Sequence, residues 1–339
     1  MAPAEATKPP APRKLVVLVP FLNEAESLPV LYERLRAVLE KEPEAFELLF
    51  VDDGSSDGSA AWLTSCAARD PRVKLLRLSR NFGHQLAITA GMDHADGDAV
   101  VIMDADLQDP PEVVPELLQR WREGHEIVYA VRTSRSGESW LKRFLAATFY
   151  KTFRRMANVD VPLDAGDFRL VDRKVIEALK QVRELHRFVR GLTCWVGFSQ
   201  SAVRYERAAR HAGVTKYPFW KSMRLAWDAI TSFSSTPLRW MTLIGLLVSL
   251  AGLLQAIRVV VDRLLYPGTM ERGWASLAAI TLVLGGVQLI SLGLIGQYVG
   301  RIFEESKKRP LYFVKEKVGF PEPTGRDNCS PEDSKRGLD

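Results

Sequence analysis

Short apolar runs recur along the first 131 residues of the chain, and a turn or a polar segment follows each of them. Between these runs the apolar positions are spaced three or four residues apart, which is typical of helices with one buried face. The runs predict buried strands at residues 15–19, 48–51, 73–78, 99–103 and 127–131, and the spaced positions predict helices at residues 25–39, 59–68, 85–94 and 111–123. This alternation indicates an α/β domain, Rossmann-like, with a mainly parallel sheet and helices on both of its faces.

Two long segments near the C-terminal end carry no charged residue, and arginines bracket each of them. They are residues 240–257 and residues 273–300. A helix of about 18 residues is roughly 27 Å long, which is close to the ~30 Å hydrocarbon core of a bilayer. The segments therefore predict a two-helix transmembrane hairpin at residues 238–262 and 273–300. The alternative is a pair of buried helices in a soluble core.

The net charge of +5 is modest, so the placement of the basic residues matters more than their number. Basic side chains precede the first uncharged segment and follow the second, whereas acidic residues partly offset the arginines of the loop between them. By the positive-inside rule we expect an inner (plasma) membrane protein with two spans, whose catalytic domain and both termini are cytoplasmic. The arginines cluster beside the membrane and are not interleaved with aromatic residues, which argues against a nucleic-acid partner.

The cysteines and histidines narrow the chemistry further. Cys66, Cys194 and Cys329 are far apart and in no metal-ligand spacing, which argues against a disulfide framework or a structural zinc site. The five histidines also form no ligand spacing, and we interpret them as structural or surface groups. Residues 1–13 are rich in alanine and proline and lack the apolar core of a signal peptide, so we expect a disordered cytoplasmic tail.

Carboxylates follow two of the predicted strands, at the end of the sheet where ligands bind in folds of this kind. Asp104 and Asp106 are separated by one residue, so both can face one cation in an extended backbone. Mg²⁺ and Mn²⁺ prefer such oxygen ligands, although a solvated acidic turn has the same pattern. Asp52 and Asp53 precede a turn rich in serine and glycine, which also suits a helix N-cap. The sequence has no P-loop or dinucleotide motif, which makes a divalent cation the natural way to hold phosphates.

Four ordered motifs give the chain a resemblance to a known family. They are Pro20-x-x-Asn23-Glu24, Val51-Asp52-Asp53-Gly54-Ser55-Ser56-Asp57-Gly58, Ser79-Arg80-Asn81-Phe82-Gly83 and Asp104-Ala105-Asp106-Leu107-Gln108-Asp109-Pro110-Pro111-Glu112. Together they resemble the family 2 glycosyltransferases of the A-type fold. More narrowly they resemble the polyprenyl-phosphate glycosyltransferases, which include dolichol-phosphate mannose synthases and bacterial lipid-linked glucosyl- and aminoarabinosyltransferases. The resemblance covers residues 15–309.

The resemblance implies a nucleotide-sugar site at the strand ends. The positions that it assigns to the nucleotide are Pro20, Glu24, Asp52, Asp53, Asp104 and Arg132. The positions that it assigns to a metal ion bridging the diphosphate are Asp104, Asp106 and Gln108, with Mg²⁺ or Mn²⁺ as the cofactor.

Later segments are similar to those that line the acceptor region in the family. The catalytic candidates are Asp167, Arg207 and Arg210, and the candidates for binding an acceptor phosphate are Arg190, Arg207, Arg210 and Lys216. The planar guanidinium suits a lipid phosphate better than an ammonium does, which favours the arginines. Asp167 matches the family's proposed base, but it could equally hold an acceptor-site arginine in place. A phosphate monoester has a second pKa near 6 and is already dianionic at neutral pH, so we expect direct displacement with inversion.

The resulting hypothesis is transfer of a sugar from a nucleotide diphosphate sugar to polyprenyl phosphate at the cytoplasmic face of a lipid bilayer. UDP-glucose is the first donor expected, before GDP-mannose and a modified UDP-pentose. One alternative is a processive polysaccharide synthase, for which the chain lacks a Gln-x-x-Arg-Trp motif and further membrane helices. The other is a catalytically silent membrane adaptor. The family also implies a homo-oligomer, of which a tetramer is one form.

The expected organisation starts, after the N-terminal tail, with a nucleotide-sugar-binding half at residues 14–134. An acceptor-binding and membrane-interface segment follows at residues 135–237. Within it, the mixed apolar and basic residues 140–159 suit either a helix lying in the membrane interface or an ordinary helix facing the core. The two spans come next, and residues 301–339 are expected to form a cytoplasmic tail.

Overall fold

The computed structural model describes residues 13–133, 165–206, 236–265 and 273–321 of the 339-residue chain. The strands are β1 (Lys14–Phe21), β2 (Ala45–Asp52), β3 (Val73–Leu78), β4 (Ala99–Ile102), β5 (Ile127–Arg132), β6 (Ala165–Asp172), β7 (Gln200–Tyr205) and β8 (Val314–Val318). The helices are α1 (Ser27–Leu39), α2 (Ser59–Ala67), α3 (His84–His94), α4 (Val114–Arg122), α5 (Arg173–Gln181), α6 (Val189–Trp195), α7 (Thr236–Leu265) and α8 (Trp274–Ser306). The five strands and four helices predicted before residue 132 are confirmed, with small shifts at their ends and a 3-10 turn, Pro111–Val113, leading into α4.

The strands form one sheet in the order β7-β5-β6-β4-β1-β2-β3-β8. β4, β1, β2 and β3 are neighbours and run parallel, and β7 pairs in parallel with β5. β6 and β8 run antiparallel to their neighbours. The expected mainly parallel sheet is therefore confirmed. The parallel strands point the same way, so their carboxyl ends meet at one edge of the sheet.

The two faces of the sheet are buried under two separate sets of helices. Leu15, Val17 and Val19 of β1 belong to the core that also contains side chains of α1, α2 and α4. Val16 and Leu18 face the opposite core, which contains side chains of α3, α5 and α6. Burial on both faces explains why the central strands are almost continuously apolar. Each such side chain stabilises the fold by about 1.5–3 kcal/mol relative to an exposed one.

β6 and β7 were not predicted, and both join the same sheet as the strands before residue 132. The expected nucleotide-sugar-binding half at residues 14–134 therefore shares one sheet with strands of the segment that follows it. β6 lies antiparallel between β4 and β5, with Ile102 opposite Arg169. Two buried charged residues, Asp167 and Arg169, interrupt its apolar pattern and conceal the strand in the sequence. The predicted interface helix at residues 140–159 lies outside the described residues.

α7 and α8 are 30 and 33 residues long, and most of their described apolar side chains are exposed. Within α8, Val283–Ser306 is long and apolar enough to cross a bilayer, and it is the one such stretch in the described part of the chain. The apolar part of α7, Trp240–Gln255, is shorter than a full span by the same measure. Of the two expected membrane helices, the second therefore meets the requirement for a span and the first does not.

β8 returns to the sheet after α8 and pairs with β3 as an outermost strand. The carbonyl of Phe313 accepts the Ser79 amide at 2.9 Å, and Arg77 forms an ion pair with Glu316 at 2.8 Å. Three consecutive charged residues make β8 unlike a buried strand and are typical of a protected sheet edge. Part of the segment expected to be a tail at residues 301–339 therefore belongs to the eight-stranded sheet.

Gly54 lies where the loop after β2 passes close to the loop after β3. Its backbone has φ +86°, and a Cβ placed on it would lie 2.8 Å from the carbonyl carbon of Arg80 and from the amide nitrogen of Asn81. Gly58, four residues later, has φ −74° and open space around its Cβ position. The two glycines therefore provide a matched pair within one loop.

We expect Gly54→Ala to lower the free energy of unfolding by about 1–3 kcal/mol, because the added methyl meets backbone atoms and the left-handed conformation disfavours alanine. Gly58→Ala should leave stability unchanged within about 0.5 kcal/mol. Thermal unfolding of the detergent-solubilised variants, followed by tryptophan fluorescence, measures the difference. Equal melting temperatures for the two variants would contradict the close approach of the loops.

Candidate functional site

The loops that follow β1 and β2 are joined by side-chain hydrogen bonds at the carboxyl edge of the sheet. Asn23, at φ +57°, accepts the Ser56 amide at 2.9 Å, and its own amide donates to the Ser55 hydroxyl. Asparagine tolerates this left-handed conformation better than most residues do. The Glu24 amide donates to the Ser59 hydroxyl at 3.1 Å, and the partly buried Glu24 carboxylate accepts from a neighbouring serine. These bonds hold the predicted nucleotide residue Glu24 in the loop after β1, and Pro20, also predicted for the nucleotide, is buried within β1.

Asp52 and Asp53 are both buried and differ in the donors that they accept. Asp52 accepts the Ser55 amide at 2.7 Å and the Arg77 guanidinium at 3.2 Å. Asp53 accepts the backbone amides of Phe82 and Gly83 at 2.7 and 3.0 Å. Burial raises the pKa of Asp53, although the two amides oppose the shift. Asp53 therefore holds the loop that starts α3, and both residues stand at the strand end where the sequence predicts a nucleotide.

Asp104 lies just beyond β4 in a pocket that concentrates negative charge. Its side chain is 29% exposed, yet the surrounding protein removes enough water to alter its titration. Burial, together with the carboxylates of Asp109, Asp167 and Asp106, raises the pKa of Asp104 to about 6, while His84 opposes the shift. Asp106 accepts the backbone amide of Gln108 at 3.1 Å, which shapes the turn after β4.

Asp167 lies on β6 next to this pocket, with donors on both of its oxygens. Arg190, from α6, binds it through two nitrogens at 2.8 and 3.0 Å, and the His84 ring nitrogen Nε2 lies 3.1 Å from Oδ2. Burial raises the pKa of the Asp167 carboxyl, but His84 and Arg190 overcome this effect and hold it well below its usual value. The same His84 nitrogen lies 3.5 Å from Asp104. His84 thus bridges the residues predicted for the metal and for the acceptor.

Arg169 supports this arrangement from inside the protein. It is only 1% exposed and donates to the Thr193 hydroxyl and to the Gly166 carbonyl. One of its nitrogens is 3.6 Å from Asp167. Burial lowers the pKa of Arg169, while Asp167 favours its charged form. Because Thr193 is on α6, Arg169 fastens the helix that carries Arg190 to β6.

Arg132 lies at the end of β5 and is linked to two further strand ends. Its Nε donates to the Tyr205 hydroxyl at 3.3 Å, and that hydroxyl donates to the buried Asp109. Its guanidinium also borders Gly166 at the start of β6, where an added Cβ would approach it to 3.0 Å. Arg132 therefore stands at the edge of the sheet that carries Asp104 and Asp167.

The charge around Asp104 is compatible with a divalent cation. Three neighbouring carboxylates raise the cost of ionising Asp104, and a cation would relieve that cost. The described residues contain no group of three or more His, Cys, Asp or Glu arranged to hold a metal ion. An ion here would take only one or two carboxylates from the protein and its other ligands from substrate phosphates and water, as Mg²⁺ often does.

The structure brings three of the predicted site residues that it describes together around one histidine. Asp104, Asp167 and Arg190 meet around His84, whereas Arg207, Arg210 and Lys216 lie outside the described residues. The interpretation of the histidines as structural or surface groups misplaced His84. The third motif, at residues 79–83, directly follows the predicted strand at residues 73–78, and His84 is the next residue after the motif. The position of His84, next to a motif near the carboxyl end of a predicted strand, was therefore the signal that could have assigned it to the site.

Comparisons with known proteins show what this chain is similar to. The family model Glycosyl transferase family 2 matches residues 16–180. The uncharacterised glycosyltransferase YkcC of Bacillus subtilis (strain 168) is 49% identical over 90% of this chain and 94% of its own length. The bactoprenol glucosyl transferase of Shigella phage SfV is 43% identical over 89% and 98%. Among solved structures, mannosyl-3-phosphoglycerate synthase from Rubrobacter xylanophilus aligns over 67% of this chain and 74% of that one, at 18% identity and a TM-score of 0.47.

We expect Asp53→Asn to destabilise the loop before α3, because the new side-chain NH₂ group would face one of the two backbone amides. One unmatched donor pair costs about 1–3 kcal/mol. Thermal unfolding should show a lower melting temperature than that of Asp96→Asn, a control whose side chain is 75% exposed. Equal melting temperatures would show that Asp53 does not hold the loop.

Proposed function

The chain belongs to glycosyl transferase family 2, and we propose that it transfers glucose from UDP-glucose to a polyprenyl phosphate at a membrane surface. The observation that carries the proposal is the meeting of Asp104 and the Asp167–Arg190 pair at one sheet edge, in a chain with a long exposed apolar helix. One carboxylate suits a cation on a diphosphate, and the arginine suits a second phosphate. The relative from phage SfV, which is named for this reaction, supports the choice of sugar and acceptor.

On the donor side, we propose that the strand-end residues hold the nucleotide. The residues assigned to the base, ribose and diphosphate are Pro20, Glu24, Asp52, Asp53, Asp104 and Arg132. Asp104, Asp106 and Gln108 would hold Mg²⁺ or Mn²⁺, which neutralises charge on the departing nucleotide diphosphate when it is bound. Asp52 and Asp53 also fix the loops that shape the pocket, because both oxygens of each accept protein donors.

On the acceptor side, we propose that Arg190 binds the lipid phosphate together with Arg207, Arg210 and Lys216. Of the two roles open to Asp167, the geometry favours orienting Arg190, because a carboxylate with three donors has little basicity. No base is needed when the phosphate is already dianionic. Its oxygen forms a bond to the anomeric carbon as the bond from that carbon to the diphosphate oxygen breaks. The electron pair leaves with UDP, no proton moves, and the configuration inverts.

We also propose the membrane arrangement expected from the sequence, with the catalytic domain and both termini cytoplasmic. In it α8 forms one span and α7 the other, corresponding to the expected hairpin at residues 238–262 and 273–300. The exposed apolar side chains of both helices support contact with lipid or with further copies of the chain. The same scheme keeps residues 14–134 as the donor half and residues 135–237 as the acceptor half of one sheet. A homo-oligomer, with a tetramer as one form, completes the proposal.

We expect the detergent-purified protein to transfer labelled glucose from UDP-glucose to undecaprenyl phosphate in the presence of Mg²⁺ or Mn²⁺. Asp104→Asn and Asp106→Asn should each lower turnover by about 100-fold or more, and EDTA should abolish it, because the diphosphate charge is then uncompensated. The measurement is label in the organic phase. A parallel panel with GDP-mannose and other UDP-sugars tests the donor.

Asp96→Asn is the matched control for these variants, since it makes the same chemical change at an exposed position. Transfer from another sugar nucleotide would correct the donor alone. Nucleotide-sugar binding without transfer to any polyprenyl phosphate would overturn the acceptor. Turnover that survives EDTA and both carboxamide variants would overturn the role of the metal.

We expect Arg190→Lys to raise the KM for undecaprenyl phosphate by about tenfold and leave the KM for UDP-glucose within about threefold, because lysine cannot reproduce the bidentate contacts of arginine. Arg173→Lys, at an exposed arginine that pairs with Asp96, is the control. Steady-state kinetics with each substrate varied in turn gives both constants. A selective rise in the KM for the donor would place Arg190 on the nucleotide instead.

A further inference from the structure

His84 stands between two carboxylates that the proposed function assigns to different substrates. Its Nε2 is 3.1 Å from Asp167 Oδ2 and 3.5 Å from Asp104 Oδ1. A ring nitrogen that faces two carboxylate oxygens carries a hydrogen, because a lone pair there would be repelled by both. His84 therefore donates from this nitrogen to Asp167, with Asp104 close on the other side.

Hydrogen bonds from two directions hold the start of α3, which carries His84. His84 is the first residue of α3, and the two amides before it donate to the buried Asp53. The next residue, Gln85, accepts the Val189 amide at 2.8 Å. Val189 begins α6, which carries Arg190. The start of α3 is therefore fastened both to the donor-side strand end and to the acceptor-side helix.

We propose that His84 is a positioning residue that sets the separation between Asp104 and the Asp167–Arg190 pair, and so the alignment of the acceptor phosphate with the donor sugar. The inference rests on the proposed function and concerns a residue to which that function gives no role. Without the His84 N–H, Asp167 would keep Arg190 as a donor but lose the 3.1 Å contact that ties the Asp167–Arg190 pair to the start of α3. Arg190 would move with its partner.

We expect loss of the His84 N–H to lower turnover more than it weakens binding of the nucleotide donor. Two of the proposed nucleotide residues, Glu24 after β1 and Arg132 at the end of β5, are held by Ser27 and Tyr205 and not by His84. The acceptor phosphate must instead approach the anomeric carbon in line, and a misplacement of about 1 Å costs on the order of 100-fold in rate. Loss of the His84 N–H should therefore lower kcat while the donor still binds.

Two substitutions at His84 separate the hydrogen bond from the volume of the side chain. His84→Gln keeps an N–H donor at nearly the same reach, whereas His84→Met keeps the length and removes the donor. We expect kcat for glucose transfer to undecaprenyl phosphate to fall by about 30-fold or more in His84→Met and to stay within about fivefold of wild type in His84→Gln. His125→Gln, away from the site, is the control.

Binding and stability are measured on the same samples. The UDP-glucose dissociation constant, from calorimetry with Mg²⁺, should change by less than about threefold, and the melting temperature should hold. In the double variant that combines His84→Met with Asp167→Asn, the loss of kcat should be no greater than in Asp167→Asn alone, because His84 acts through Asp167. The inference would be overturned by full turnover in His84→Met or by equal losses of kcat in the Gln and Met variants. It would also be overturned if the losses multiplied in the double variant, or if donor binding weakened in step with kcat.

The outcome for the wild-type protein separates this inference from the proposal beneath it. If wild type transfers no sugar to polyprenyl phosphate, the proposed function fails and the inference fails with it. If wild type is active and the His84 variants behave in any of the contrary ways, the inference fails alone.

Discussion

Negative charge buried at the carboxyl ends of the strands is the constraint on which the site depends. A carboxylate that loses water must gain donors, and each acid at this edge gains different ones. Asp53 takes two backbone amides, Asp167 takes an arginine and a histidine, and Asp52 takes an amide and an arginine. Meeting these demands fixes the conformations of the loops.

The donors also distinguish acids that maintain the fold from acids that are ready for chemistry. Asp53 and Asp167 are nearly enclosed and hold other groups in place. Asp104 remains partly open, His84 partly offsets its acidic neighbours, and its pKa is raised to about 6. A carboxylate kept at this cost within the protein gains most from a cation that arrives with a substrate. The acids therefore differ in how far the protein itself stabilises their charge, and Asp104 is stabilised less than Asp53 or Asp167.

The central sheet was predictable because strands buried on both faces are nearly continuous apolar runs, and such runs are visible without any neighbour. β6 escaped prediction because Asp167 and Arg169 point into the protein and interrupt that signal. β8 escaped because an edge strand rich in charge resembles a solvated tail. The contact between His84 and Asp167 joins residues 83 positions apart, and sequence spacing carries no information about such a contact. The long exposed helices followed from composition, which is enough to indicate length and polarity but not packing.

β8 has a consequence for the order of synthesis. The strand that covers the edge of β3 is made after α7 and α8, so about 240 residues separate the paired positions Arg77 and Glu316. Until the ribosome has produced both long helices, the β3 edge and the Ser79 amide have no partner from β8 or the segment before it. An unpaired edge of this kind invites pairing with other chains. The catalytic sheet is thus completed only after the apolar helices have emerged, which links maturation of the enzyme to their delivery into a suitable environment.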